Sequence, residues 1–216
     1  MALHLLDANA LFVHIPKTGG IWLEEALPAC GIRTAQPETR DGVSWRHPLP
    51  ADICGHYDFT FTFVRHPLSW YESWWKFQGG HWYTFEPGVW HPQRVLEPCG
   101  ADDFSSFMRR CLEREPGYVT RLYEWYIGPP GIERVDFVGR QEALVDNLVG
   151  VLRGLNCDFD ETVLREHPRA NVGTEDGGPP VWDPAVKERT EALEAGAIRR
   201  FYGEPESPLV ESEPAR

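Results

Sequence analysis

Apolar residues in this chain fall into short runs whose spacing switches between strand and helix periods. Leu11 to Ile15 is a continuous apolar run stopped by Pro16, which predicts a buried strand. From Cys54 to Val64 the residues Tyr57, Phe59, Phe61 and Phe63 alternate with small or polar ones, which predicts a second extended segment. Val135 to Val138 predicts a third. Between them lie helical stretches over 21–28, Ser69 to Phe77, Ser105 to Arg114 and Tyr118 to Tyr126, with Asp102 or Asp103 as a cap for the third. Leu144, Leu148, Leu152 and Leu155 mark one face of a further helix. Asp183-Pro184 opens a last one, with Val186, Leu193, Ile198 and Phe201 on its apolar side. This succession predicts an α/β fold: three α/β/α layers around a central, mostly parallel sheet.

The breaks between runs are equally patterned. Residues 33–52 are polar with three prolines and read as a variable loop. Residues 78–100 carry Gly79, Gly80, Pro87, Gly88, Pro92, Pro98 and Gly100, which interrupt any regular element, yet also His81, Trp82, Tyr83, Phe85, Trp90 and His91. An aromatic loop of this kind suits an acceptor platform, for which His81, Trp82, Tyr83 and Trp90 are the candidates, or a loop pinned by its own rings. Residues 1–203 read as a single domain, and 204–216, with three prolines and four glutamates, as a flexible acidic tail.

Composition narrows the function classes. Lys plus Arg is 21 against 33 Asp plus Glu, a net charge of −12, which argues against a nucleic-acid partner and against a polyanionic acceptor. There is no apolar run of membrane-spanning length, and Met1 to Asp7 lacks a basic n-region, so a cytoplasmic protein is expected. The five cysteines, Cys30, Cys54, Cys99, Cys111 and Cys157, are scattered without CxxC spacing and read as reduced thiols. The histidines show no paired ligand spacing, and no metal is expected.

Two stretches carry candidate chemistry. In the first, Pro16-Lys17-Thr18-Gly19-Gly20 joins the first strand to a helix opening at Ile21-Trp22. Loop amides, a helix N-terminus and a lysine together make an anion site. The spacing differs from the nucleotide-triphosphate loop, which ends in Gly-Lys-Ser/Thr. In the second, Phe61 to Val64 ends in Arg65, followed by His66-Pro67 and a helix on which Ser73 lies eight residues later. Arg65 stands at the C-terminal end of its strand, where open α/β sheets bind ligands, and with Ser73 is placed to reach a second phosphate.

Together these stretches resemble the sulfotransferase family that uses 3′-phosphoadenosine-5′-phosphosulfate (PAPS), and look closer to its carbohydrate and bacterial branches. The resemblance implies a fold similar to the P-loop nucleotide hydrolases. It implies that Pro16, Lys17, Thr18, Gly19, Gly20 and Ile21 cradle the 5′-phosphosulfate, that Trp22 stacks on adenine, and that Arg65 and Ser73 bind the 3′-phosphate. Arg169 and Asn171, in His167-Pro168-Arg169-Ala170-Asn171, are similar to a late segment that touches the cofactor phosphate. Gly139-Arg140-Gln141-Glu142 is similar to the strand-turn-Glu segment of relatives, which often carry an aromatic where Arg140 stands.

The implied reaction moves a sulfuryl group from PAPS to an acceptor hydroxyl of a sugar or small metabolite, leaving 3′,5′-adenosine bisphosphate (PAP). Lys17 would neutralise the leaving phosphate. The acceptor needs a base. His56, in Gly55-His56, is the first candidate, since several glycan sulfotransferases place a Gly-His pair before the Arg-bearing strand. Glu24, Glu25 and Glu38 are the alternatives, and His14 stands beside the loop. Two other functions fit the strand-loop-helix start: a nucleotide-dependent kinase, and a non-catalytic module binding nucleotide or glycan.

Overall fold

The computed structural model describes residues 2–40, 47–78, 91–169 and 180–203. Its five strands, β1 (Leu3–Leu5), β2 (Ala10–Phe12), β3 (Thr34–Ala35), β4 (Phe59–Val64) and β5 (Phe137–Arg140), form one open sheet in the order β3-β1-β2-β4-β5. Eight α-helices among the described residues surround it: α1 (Gly20–Ala29), α2 (Pro67–Gln78), α3 (Phe104–Arg114), α4 (Tyr118–Ile127), α5 (Leu144–Gly154), α6 (Glu161–Glu166), α7 (Pro184–Leu193) and α8 (Ala195–Tyr202). No helix among the described residues is long and apolar enough to cross a membrane.

The sheet is mixed rather than mostly parallel. β2 with β4 and β4 with β5 pair in parallel, whereas β1 pairs antiparallel with both β2 and β3. The antiparallel half arises because the chain reverses after only three residues of β1, through a turn that holds Asn9 at φ 45°. Asn is among the residues that tolerate this left-handed region best.

Alternation along β2 and β4 divides the core. Phe12, Phe61 and Phe63 face Trp22, Leu23 and Leu27 of α1, Leu148 and Leu152 of α5, and Leu164 of α6. Leu11, Val13 and Val64 face the opposite way, toward Trp70, Tyr71 and Trp74 of α2 and the apolar sides of α3 and α4. Helices therefore cover both faces, and β2 and β4 are buried on each side.

Side chains set several helix starts. Asp103 caps α3 by accepting from Ser106 N (2.8 Å), and Asp183 caps α7 by accepting from Ala185 N and Val186 N, with Pro184 in the first turn. The single last helix expected over Val186 to Phe201 is instead two, α7 and α8, joined at Glu194. The Glu194 carboxylate is buried and accepts from Tyr71 Oη, Val119 N, Thr120 N and Thr120 Oγ1 at 2.7–3.0 Å. It so ties α2 and the first turn of α4 to the α7–α8 corner. Within the expected loop 33–52 the structure has β3 and a short 3₁₀ turn over Pro50–Asp52. Pro92–Cys99 forms 3₁₀ helix in the expected aromatic loop, while 79–90 and the acidic tail 204–216 lie outside the described residues.

Because β2, β4 and β5 run parallel as neighbours, their C-terminal ends share one edge of the sheet. The segments leaving those ends begin with Pro16-Lys17, Arg65-His66 and Gln141-Glu142. This edge holds the candidate site.

Candidate functional site

The loop between β2 and α1 is built by close approach. Lys17 sits at φ 69° and Gly19 at φ 97°, two left-handed residues that fold the chain tightly into the helix. A Cβ on Gly20 would stand 2.2 Å from the buried ring of His14, so that position requires glycine for space, while Gly19 is favoured by its left-handed φ. Trp70 Nε1 of α2 donates to Pro16 O (2.8 Å), anchoring the start of the loop. Thr18 is fully buried, and its hydroxyl donates to Ile15 O (2.8 Å). Its proton is thus committed inside the loop, and of the two donors expected from Thr18 toward an anion only the backbone N–H remains.

Lys17 and Arg65 meet at the ends of adjacent parallel strands. Burial, and next the charge of Arg65, push the Lys17 ammonium down to about 8 from 10.5. Burial also lowers the Arg65 guanidinium, opposed by Glu142, Tyr123, Glu72 and Tyr202. Arg65 Nε is buried and meets no hydrogen-bond partner among the described residues. Two half-buried cations held together with an orphaned donor are arranged for an anion. The Arg65 backbone is pinned by Tyr123, whose hydroxyl donates to Arg65 O and accepts from Arg65 N.

Helix α2 supplies one wall. The Lys17 Nζ lies 4.0 Å from the centre of the Phe77 ring. Ser73 is half-buried one turn before Phe77 on α2. Beyond Arg65 the edge is braced by Glu142, which accepts from His66 N (2.8 Å) and from Tyr202 Oη (2.9 Å). Burial, and then Glu142, raise the Tyr202 phenol, which stays neutral and donating. Arg140, at the end of β5, lies 5.1 Å from the Tyr202 ring centre, so each of the three parallel strands ends beside a cation.

The other expected residues divide. His56 precedes β4, with a 90% exposed side chain 3.7 Å from Asp58, at the opposite end of the strand from Arg65. That separates it from Lys17 by about 20 Å, the length of a six-residue strand. Trp22 is 6% exposed and packs into the core, its edge against His167 (ring centres 5.9 Å), rather than offering a stacking face. Ile21 is 45% exposed in the first turn of α1. Arg169 is exposed two residues beyond His167, which brings its segment to α1. Glu24 and Glu25 lie past the first turn of α1, and Glu38 follows the edge strand β3, two strands from the loop. His81, Trp82, Tyr83, Trp90 and Asn171 lie outside the described residues.

One feature has no signature in sequence spacing. His14, His47 and His91 form a row beside the loop, with ring centres 4.7 Å and 4.9 Å apart. His14 is buried against Gly20. His91 Nδ1 accepts from Gln93 N (3.2 Å), so its neutral ring carries the proton on Nε2. His47 is half-buried between them, its carbonyl held by Tyr126 Oη (2.9 Å). The three come from segments far apart in sequence, which is why spacing does not reveal them.

Among known proteins, no family model, curated protein or solved structure matches this chain.

Proposed function

We propose that this chain is a PAPS-dependent sulfotransferase, with a core similar to the P-loop nucleotide hydrolases, acting on a hydroxyl of a carbohydrate or small metabolite. The observation that carries the reading is the pairing of Lys17, in the glycine-built loop after β2, with Arg65 at the end of β4, whose Nε has no hydrogen-bond partner among the described residues. Such a site fits a ligand with anionic groups at two points, as PAPS has. The amides of Thr18, Gly19 and Gly20 and the α1 N-terminus suit the 5′-phosphate. Arg65 and Ser73 suit the 3′-phosphate by charge-assisted contact.

Sulfuryl transfer develops negative charge on the leaving phosphate, and Lys17 is the cation positioned to offset it. The acceptor proton passes in this reading to His47. His47 stands half-buried in the histidine row beside the loop, between His14 and His91. His56, at the other end of β4, takes no part. Arg140 and Glu142 complete the polar edge near Arg65.

The test is transfer from PAPS to a panel of sugar and small-molecule hydroxyls. Lys17→Ala and His47→Ala abolish it in folded protein, and His56→Ala leaves it unchanged. Transfer by Lys17→Ala at the wild-type rate rejects the reading.

A further inference from the structure

We propose that Phe77 is the positioning residue for Lys17, its ring face holding the ammonium at the mouth of the loop and aiming it at the bound anion. This rests on the reading of Lys17 as the cation that meets the leaving phosphate.

Three observations carry it. The Lys17 Nζ stands 4.0 Å from the Phe77 ring centre, well within the range in which a ring quadrupole attracts a cation. Phe77 occupies the last turn of α2, one turn beyond Ser73, so the helix that presents Ser73 also presents this ring. The ring is 57% exposed, although Trp70, Tyr71 and Trp74 of the same helix are almost wholly buried. One contact of the ring is with Trp74, which it stacks at 5.6 Å between centres, and another is with the Lys17 ammonium, so the buried helix face holds the ring under the cation.

The arrangement answers a physical problem in the site. Lys17 has Arg65 as a neighbour and is partly desolvated, and both push it toward the neutral form. Phe77 opposes them by stabilising the charged form without occupying its three N–H donors as a carboxylate would. A carboxylate partner would compete with an incoming phosphosulfate for the ammonium, whereas a ring face yields to it. Lys17 therefore rests on Phe77 and transfers to the anion on binding.

The chain has three lysines, Lys17, Lys76 and Lys187, so lysine labelled with ¹³C at Cε gives three resonances, and Lys17 is assigned by its loss in Lys17→Met. Phe77→Leu keeps an apolar cover over Lys17 and removes the ring face; Phe77→Trp strengthens it. The expected result is a Lys17 titration midpoint lower in Phe77→Leu by about half a pH unit and restored in Phe77→Trp. PAP binding by Phe77→Leu weakens in step above that midpoint, with affinity nearly unchanged at low pH. Identical Lys17 titrations in wild type and Phe77→Leu overturn the assignment. If wild type fails to bind PAP while the titrations differ as expected, the sulfotransferase reading falls and the ring–ammonium pairing stands.

Discussion

Lys17 is held at φ 69° on a half-buried loop beside Arg65, and its ammonium gives up its proton near pH 8 instead of 10.5. Below pH 8 it is charged in both folded and unfolded chains, and the folded chain bears the cost of partial burial. Between about 8 and 10.5 the unfolded chain holds a proton that the folded chain lacks, so the stability linked to Lys17 rises with pH across that window. Binding runs the other way. An anion paired with the ammonium raises its pKa, so PAP affinity is full below pH 8 and falls as pH passes through it. Above that midpoint the fall approaches tenfold per pH unit in calorimetry, with a proton taken up on binding, and below it the affinity is flat. Lys17→Met removes this pH dependence together with most of the affinity. It also raises the melting temperature at neutral pH by about 2–4 °C, because a partly buried charge beside Arg65 is gone and the ring of Phe77 offsets its burial only in part.

At the scale of elements, the loop and the two core faces depend on contacts that single substitutions expose. Gly20→Ala drives a Cβ into the buried His14 ring, 2.2 Å away, and costs about 1–3 kcal/mol in urea unfolding while displacing the α1 N-terminus. Glu194→Gln turns an amide NH₂ toward N–H and O–H donors of Tyr71, Val119 and Thr120, and costs about 2–4 kcal/mol by the same measurement. Elements that carry their own signals were legible in the sequence: α3 and α7 have Asp caps, α5 an unbroken apolar face, and β4 an aromatic alternation. β1 and β3 were not legible, being three and two residues long and defined by their partners rather than by a pattern of their own. The break at Glu194 was hidden for a related reason, since the donors that bury its carboxylate come from α2 and α4, distant in sequence. Within the site, Arg65 was legible because it directly follows β4, and Lys17 because Pro-Lys-Thr-Gly-Gly lies between an apolar run and a helix. The commitment of the Thr18 hydroxyl to Ile15 O was not, nor were the inward packing of Trp22 and the histidine row. Those depend on where side chains meet in space.

At the scale of the whole molecule, a chain of net charge −12 gathers Lys17, Arg65 and Arg140 along one sheet edge. The acidic remainder does not favour an anionic acceptor, and under the proposed function the positive edge would receive a small anionic donor and the acceptor would be a neutral hydroxyl compound. The parallel half of the sheet, β2-β4-β5, makes this possible by bringing three strand ends to one side. The antiparallel β1 and β3 extend the sheet away from it. Calorimetric titration of the intact protein with PAP, beside ADP and magnesium-ATP, tests this arrangement most directly. The expected result is tighter binding of PAP than of either other nucleotide, with the preference lost in Arg65→Ala while its fold is retained. Preference for ATP, or no binding of PAP by the wild-type protein, would contradict it.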